Sequence, residues 1–232
     1  VTQFQAQAYK ELLPADGPIR TQILGKPTPE KEDQATRVTN FMNYEIMNVM
    51  KEYEPEFDSM LFYLPLAGST FKKVYYDDLL GRAVSKFIPA DDLVVPYSAT
   101  SLEDAEAICH VLKISENDLR KQQVGGFYRD IELHAPSSEE SEIKKKEREL
   151  EGIRATGYQK NDSMFTLIEC HVDLDLEGFE DRGEDGMPTG IKLPYIVTID
   201  TSSRQVLSIR RNYKVDDPKK KKTQYFVHFK FL

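Results

Sequence analysis

The sequence predicts an α+β fold in which N-terminal helices pack with antiparallel β-hairpins and a mostly antiparallel β half follows. Three observations predict this class. Apolar residues recur at three- and four-residue steps over the first 65 residues, which is typical of amphipathic helices. From residue 70 the period changes to two, which is typical of strands. A charged segment at 136–152 then separates the front of the chain from further strand-like runs.

The predicted N-terminal helices follow from apolar spacing and from helix-start and helix-stop signals. Residues 1–13 have helical spacing. Thr28 caps a second helix, with Pro29 at the first helical position, where no amide donor is needed. A third helix restarts at Pro55 and is expected to end at Pro65. One apolar stripe predicts that the second helix faces the core, and it consists of Val38, Phe41, Met42, Ile46, Val49, Met50 and Tyr53.

Strands are predicted next, over residues 70–76 and 82–88, and they are joined by the hairpin segment Asp77-Asp-Leu-Leu-Gly81. Pro89 ends the second strand, because a proline biases the residue before it toward extended geometry and cannot continue the ladder. A short strand at 93–95 follows and stops at Pro96.

The middle of the chain contains one well-marked helix and one ambiguous run. Ser115 is predicted to cap a helix over 116–124, with Asp118 in the capping-box position. Gly125-Gly126 ends that helix, because one of the glycines can adopt the left-handed conformation of a C-cap. Before it, residues 103–107 favour a helix, whereas 108–114 also fit a strand.

The back half reads as antiparallel strands joined by polar turns, at about 164–175, 192–199, 205–213 and 223–232. In the charged segment, acidic residues precede lysines at helical spacing, which favours a solvated helix. The sequence therefore predicts three regions: an α-rich region with a β-hairpin over 1–135, a charged helical or mobile segment over 136–160, and an antiparallel β region over 161–232.

Composition narrows the classes of function. The chain has 232 residues and a net charge of −8, which argues against a broad basic face that grips nucleic acid. The two cysteines, Cys109 and Cys170, are too few for a disulfide framework and are predicted to be free, buried thiols. The sequence contains no GxSxG motif, phosphate-binding loop or GxGxxG motif, so it gives no warrant for nucleophilic catalysis or nucleotide binding.

Several phrases, in one order along the chain, resemble the portal (head-to-tail connector) proteins of short-tailed bacteriophages. The first three are Phe87-x-Pro-x-x-Asp-Leu-Val-Val-x-Tyr97, Leu119-Arg-Lys-x-Gln123 and Gly126-Phe-Tyr-Arg-Asp130. The others are Asp173-Leu-Asp-Leu176, Gly178-Phe-Glu-Asp181, Leu193-Pro-Tyr-Ile-Val-Thr-Ile-Asp200, Val206-Leu-Ser-Ile-Arg-Arg-Asn212 and Phe226-Val-His-Phe-Lys-Phe231. The resemblance covers nearly the whole chain, and the order of the phrases carries it.

The resemblance implies a structural protein of the virion, assembled in the bacterial host cytoplasm, and not an enzyme. It implies a dodecameric ring at one capsid vertex through which DNA enters and leaves. The implied partners are other copies of the chain, the terminase motor, tail and head-completion proteins, the capsid and scaffolding protein, and the DNA in the channel. No cofactor is implied. The chain is expected to be a wing-type fragment that precedes the channel-lining stem.

An acidic run supports a different hypothesis, a carboxylate-dependent enzyme that binds a divalent metal. Asp173, Asp175, Glu177 and Glu184 fall at positions 1, 3, 5 and 12 of a calcium-loop template, with Gly178 at position 6. Glutamate at position 5 and strand-like flanks depart from that template. The hypothesis predicts that calcium, magnesium or manganese raises the melting temperature, because an ion that binds only the folded state stabilises it.

Two further groups of residues contain side chains that are common in binding sites. Four lysines at a predicted turn are candidates for contact with DNA or a partner, although a solvated turn explains them as well: Lys219, Lys220, Lys221 and Lys222. The four histidines lack the spacing of metal ligands and are predicted to be structural: His110, His134, His171 and His228.

Overall fold

The computed structural model describes residues 1–133, 164–183 and 185–231. N-terminal helices pack against an antiparallel hairpin, and a five-stranded antiparallel sheet follows, so the α+β class predicted from the sequence is confirmed. The chain divides into two compact units: the first joins Val1–Leu93 with Gln224–Leu232, and the second is Val94–Thr223. The charged segment predicted at 136–160 lies outside the described residues.

The described part of the chain has four α-helices, and none of them is long and apolar enough to cross a membrane. They are α1 (Thr2–Leu12), α2 (Pro29–Tyr44), α3 (Tyr53–Ala67) and α4 (Glu116–Val124). A single π-helical turn, Glu45–Val49, continues directly from α2.

The described strands form two antiparallel sheets. The first unit contains β1 (Ser69–Asp77), β2 (Arg82–Ile88) and β8 (Phe226–Lys230), in the order β2-β1-β8. The five-stranded sheet has the order β3-β4-β5-β6-β7 and contains β3 (Leu93–Val94), β4 (Ala107–Ile114), β5 (Phe165–Leu174), β6 (Leu193–Asp200) and β7 (Val206–Arg211).

Local signals account for several of these elements. The side chain of Asp77 accepts hydrogen bonds of 3.0 and 3.1 Å from the amides of Leu79 and Leu80, which closes the predicted hairpin between β1 and β2. Ser115 caps α4 by accepting a 3.1 Å hydrogen bond from the amide of Asp118. Gly126 supplies the left-handed residue after α4, with φ of 72°.

The ambiguous run before α4 is a strand. Ala107–Ile114 forms β4 and pairs along its whole length with β5. The helix-favouring residues 103–106 form bends instead. Pairing with a long neighbouring strand therefore outweighs a weak local preference for helix.

The predicted end of the third helix at Pro65 is wrong. α3 continues through Pro65 to Ala67 and ends at Gly68, which has the left-handed φ of 72° that a C-cap favours. Pro65 lies near the end of the helix, where the lost amide donor affects one backbone hydrogen bond. The buried face of this helix outweighs that loss, and its buried residues are Phe57, Met60, Leu61 and Leu64.

The prediction that the second helix faces the core is also wrong. No residue of α2 is buried. The apolar run after it is divided between the π-helical turn and α3. Within α2, Val38, Phe41 and Met42 expose 43%, 60% and 40% of their surface. Apolar spacing identified a real stripe, but the part of it on α2 is open to solvent.

Each unit has its own hydrophobic core. In the first unit, Leu13 directly after α1 joins residues of α3 in a buried cluster of Leu13, Phe57, Met60 and Leu61. In the second unit, α4 and the strands contribute a cluster of Leu119, Tyr128, Phe165, Leu167 and Leu207.

The last strand crosses back to the front of the chain. The run predicted at 223–232 forms β8, which pairs antiparallel with β1 in the first unit, from Ser69 opposite Lys230 to Lys73 opposite Phe226. Because this run lies at the end of the sequence, the prediction grouped it with the strands of the back half. The first unit is therefore built from two distant pieces of the chain.

Candidate functional site

The exposed apolar stripe of α2 is the first candidate site, and the sequence around it explains its shape. Val38, Phe41 and Met42 are spaced at three and four residues and so lie on one stripe of the helix. Pro29 follows the cap residue Thr28, whose side chain accepts a 3.4 Å hydrogen bond from the amide of Lys31. The three exposed apolar residues form what we call the α2 face.

A neighbouring stripe of α2 is held by the segment that precedes the helix. Asn43 accepts a 2.9 Å hydrogen bond from the amide of Ile19 and donates one of 3.1 Å to its carbonyl oxygen. The hydroxyl of Thr21 lies 2.7 Å from that of Thr39 and donates to the carbonyl oxygen of Ala35 at 2.9 Å. Polar contacts therefore fix one stripe of the helix, while the α2 face stays open.

The predicted metal loop begins at the end of β5. Asp173 pairs with Pro194 of β6, whereas Asp175 and Glu177 follow the strand as exposed residues. Glu184 lies outside the described residues. Within the part of the chain that the structure describes, no three His, Cys, Asp or Glu side chains are grouped so that they could hold a metal ion. The complete four-ligand set stays a prediction.

One ion pair joins the predicted metal loop to the turn that contains Lys219, Lys220, Lys221 and Lys222, which we call the lysine turn. Asp181 contacts the ammonium group of Lys220, and its Oδ2 accepts a 2.7 Å hydrogen bond from the hydroxyl of Thr189. The hydrogen bond from Lys220 is the main cause that holds the pKa of Asp181 below its usual value. One predicted contact residue is thus used to join two loops of the second unit.

The lysine turn uses a second side chain in the same way. Nζ of Lys222 donates a 3.0 Å hydrogen bond to the carbonyl oxygen of Ala105. Lys219 and Lys221 are exposed, and their backbone amides donate to the carboxylate of Asp217, which shapes the turn. Contact with DNA or a partner stays a prediction, and Lys219 and Lys221 are the side chains placed to make it.

His110 and His171 both neighbour Glu169, whereas His228 lies in the first unit. Nε2 of His171 lies 2.8 Å from Oε1 of Glu169, and His110 is directly opposite Glu169 in the β4–β5 register. Both histidines are buried. In the first unit, the ring of His228 stacks on an aromatic ring of β1 with centroids 4.5 Å apart, and burial lowers its pKa. His134 lies outside the described residues.

The strand register also brings the two cysteines together. Cys109 of β4 is directly opposite Cys170 of β5, and their sulfur atoms are 3.1 Å apart. Both thiols are free, as predicted, but they are only partly buried. No local pattern predicts this pair or the proximity of His110 and Glu169, because both depend on the register of two strands that are distant along the chain.

Comparison with known proteins adds no family to these observations. No protein-family model matches the chain, and no curated protein matches it at a significant level.

Proposed function

We propose that this chain is part of the portal subunit of a short-tailed bacteriophage and acts as a structural protein of the ring at one capsid vertex. The ordered series of phrases from Phe87 to Phe231 supports the proposal, because they are spread over both units of the fold. In this proposal the chain belongs to the peripheral wing of the subunit, and ATP hydrolysis belongs to the packaging motor.

The α2 face is the surface that we assign to the contact between copies in the ring. A closed ring requires each subunit to present one surface to the next copy around the ring. Exposed apolar side chains that are grouped on one helix are typical of such contacts, because burying them gains about 25 cal/mol for each Å² removed from water. Phe41 exposes 60% of its surface, more than Val38 or Met42, so we expect it to bury the most apolar surface in such a contact.

The net negative charge of the chain supports only a limited role in contact with DNA. A net charge of −8 disfavours tight binding of phosphates, which suits a channel through which DNA must slide. We assign any contact from this chain to Lys219 and Lys221, because Lys220 and Lys222 are used inside the second unit. The terminase motor, tail and head-completion proteins, and capsid and scaffolding protein would be docked by surfaces of the assembled ring in the virion.

The test is the assembly state of the complete gene product after the α2 face is made polar. We expect the unmodified complete gene product to form a ring, and a Phe41→Gln, Met42→Gln variant to shift toward monomer, because the apolar contact with the next copy is lost. The measurement is the solution mass by light scattering after size exclusion. The 232-residue chain is measured beside it to show whether this part associates alone.

The matched control is a Leu79→Gln, Leu80→Gln variant. Both leucines expose 58% of their surface in the β1–β2 turn, so the substitution removes a similar amount of exposed apolar surface away from α2. This variant is expected to assemble like the unmodified protein. A complete gene product that remains monomeric under all conditions would contradict the portal proposal. A ring that tolerates the α2 substitutions would remove the α2 face from the contact.

A further inference from the structure

The pair of thiols across β4 and β5 is close to the geometry of a disulfide. Residues directly opposite each other in an antiparallel pair have Cβ atoms about 4.5–5.5 Å apart, and a disulfide requires about 3.5–4.5 Å. The sulfurs of Cys109 and Cys170 are already 3.1 Å apart, against about 2.05 Å in the bond. A small approach of the two side chains therefore closes the bond, without a change of strand register.

Both thiols are placed where a small oxidant can reach them. The side chains of β4 and β5 alternate between the two faces of the sheet. Ile108 and Leu167 lie on the core face and are buried, whereas Cys109 and Cys170 lie on the other face and are only partly buried. The pair is thus held by a well-packed sheet but is not enclosed by the core.

The contact makes the two thiols chemically different. The hydrogen bond with Cys170 is the main cause that lowers the pKa of Cys109, against the opposing effect of burial. The same contact is the main cause that raises the pKa of Cys170. Cys109 is therefore the thiol of the pair that more readily forms the nucleophilic thiolate.

We propose that Cys109 and Cys170 form a reversible disulfide when the protein meets a peroxide. The thiolate of Cys109 attacks one oxygen of hydrogen peroxide, the O–O bond breaks, and a sulfenic acid and hydroxide form. The sulfur of Cys170 then attacks the sulfur of Cys109, its proton neutralises a hydroxide, and the S–O bond breaks. The two thiols lose two electrons, and the peroxide is reduced to two molecules of water. This inference does not rest on the proposed function.

The first test is treatment of the 232-residue chain with one equivalent of hydrogen peroxide at pH 7. We expect both free thiols to disappear, the intact mass to fall by two hydrogen atoms, and the solution mass to stay that of one chain. Peptide mapping should find Cys109 joined to Cys170, and dithiothreitol should restore both thiols. Thiols that persist, a cysteine that stops at sulfinic acid, or chains linked to each other would overturn the proposal.

Single serine variants distinguish the thiol that attacks the peroxide from the thiol that then closes the disulfide. In Cys170→Ser, we expect a sulfenic acid to accumulate at Cys109 and to be trapped by dimedone. In Cys109→Ser, which lacks the activated thiol, we expect peroxide to react at least about tenfold more slowly at pH 7. Equal rates of reaction in the two variants would overturn the assignment of Cys109 as the attacking thiol.

Discussion

Replacing Leu167 with alanine is expected to lower the free energy of unfolding of the second unit by about 3 kcal/mol. Leu167 exposes 0% of its surface and lies near the start of β5, opposite Leu112 of β4 and Asp200 of β6. Its side chain belongs to the same cluster as Leu207. The truncation removes buried methyl groups and leaves a cavity, because neighbours held in a sheet relax only partly.

Urea unfolding followed by circular dichroism measures this loss. The control is Ile209→Ala on β7 of the same sheet, where 49% of the side chain is exposed, so a loss below about 1 kcal/mol is expected. Similar losses for the two variants would contradict the assignment of Leu167 to a tightly packed core.

Replacing Lys72 with methionine is expected to stabilise the first unit at pH 7, by about 1–3 kcal/mol. Lys72 exposes only 4% of its surface, and its Nζ lies 4.1 Å from the ring centroid of Tyr53 and 5.0 Å from that of Phe57. Burial lowers its pKa from 10.5 to about 8, although the charges of Glu56 and Glu52 oppose the shift. Methionine keeps the length and apolar packing without the charge, at the loss of the cation–π contact.

The same substitution predicts a pH dependence with a definite sign. Because the pKa of Lys72 is lower in the folded state, the charged lysine opposes folding in full below about pH 8. Between about pH 8 and 10.5 the folded state loses this proton before the unfolded state does, so stability rises with pH. The advantage of Lys72→Met should therefore shrink across that window.

Chemical denaturation at pH 7, 9 and 10.5 tests this prediction. Lys86→Met is the control, because Lys86 is exposed on the neighbouring strand β2, and a change within about 0.5 kcal/mol is expected at each pH. If the advantage of Lys72→Met is the same at all three pH values, the ammonium group of Lys72 is not the source of the penalty.

Elements with local signals could be predicted from the sequence. α4 has its cap at Ser115 and its left-handed glycine at Gly126, and both act within one turn of the helix. The hairpin between β1 and β2 follows in the same way from Asp77 and Gly81. In each case the residues that set the conformation are neighbours in the chain, so the local sequence pattern is enough to predict the element.

Features that depend on distant partners could not be predicted. The period of the apolar residues in α2 is real, but a period does not tell whether another part of the chain covers the stripe. Pro65, near the end of α3, predicts the end of the helix when only the local sequence is considered. The helix continues past it because its buried face packs against the core. The candidate sites show the same limit, because the Asp181–Lys220 and Cys109–Cys170 contacts each join segments that are far apart in sequence.

The return of β8 to β1 has a consequence for synthesis on the ribosome. About 160 residues separate Ser69 from its partner Lys230, so at about 5–20 residues per second one edge of β1 waits roughly 8–30 seconds for its neighbour. During that time the nascent chain offers an open strand edge, which can pair with another polypeptide. The second unit, whose strands lie between these two segments, can fold first. Translation speed and chaperone access thus become determinants of yield for this topology.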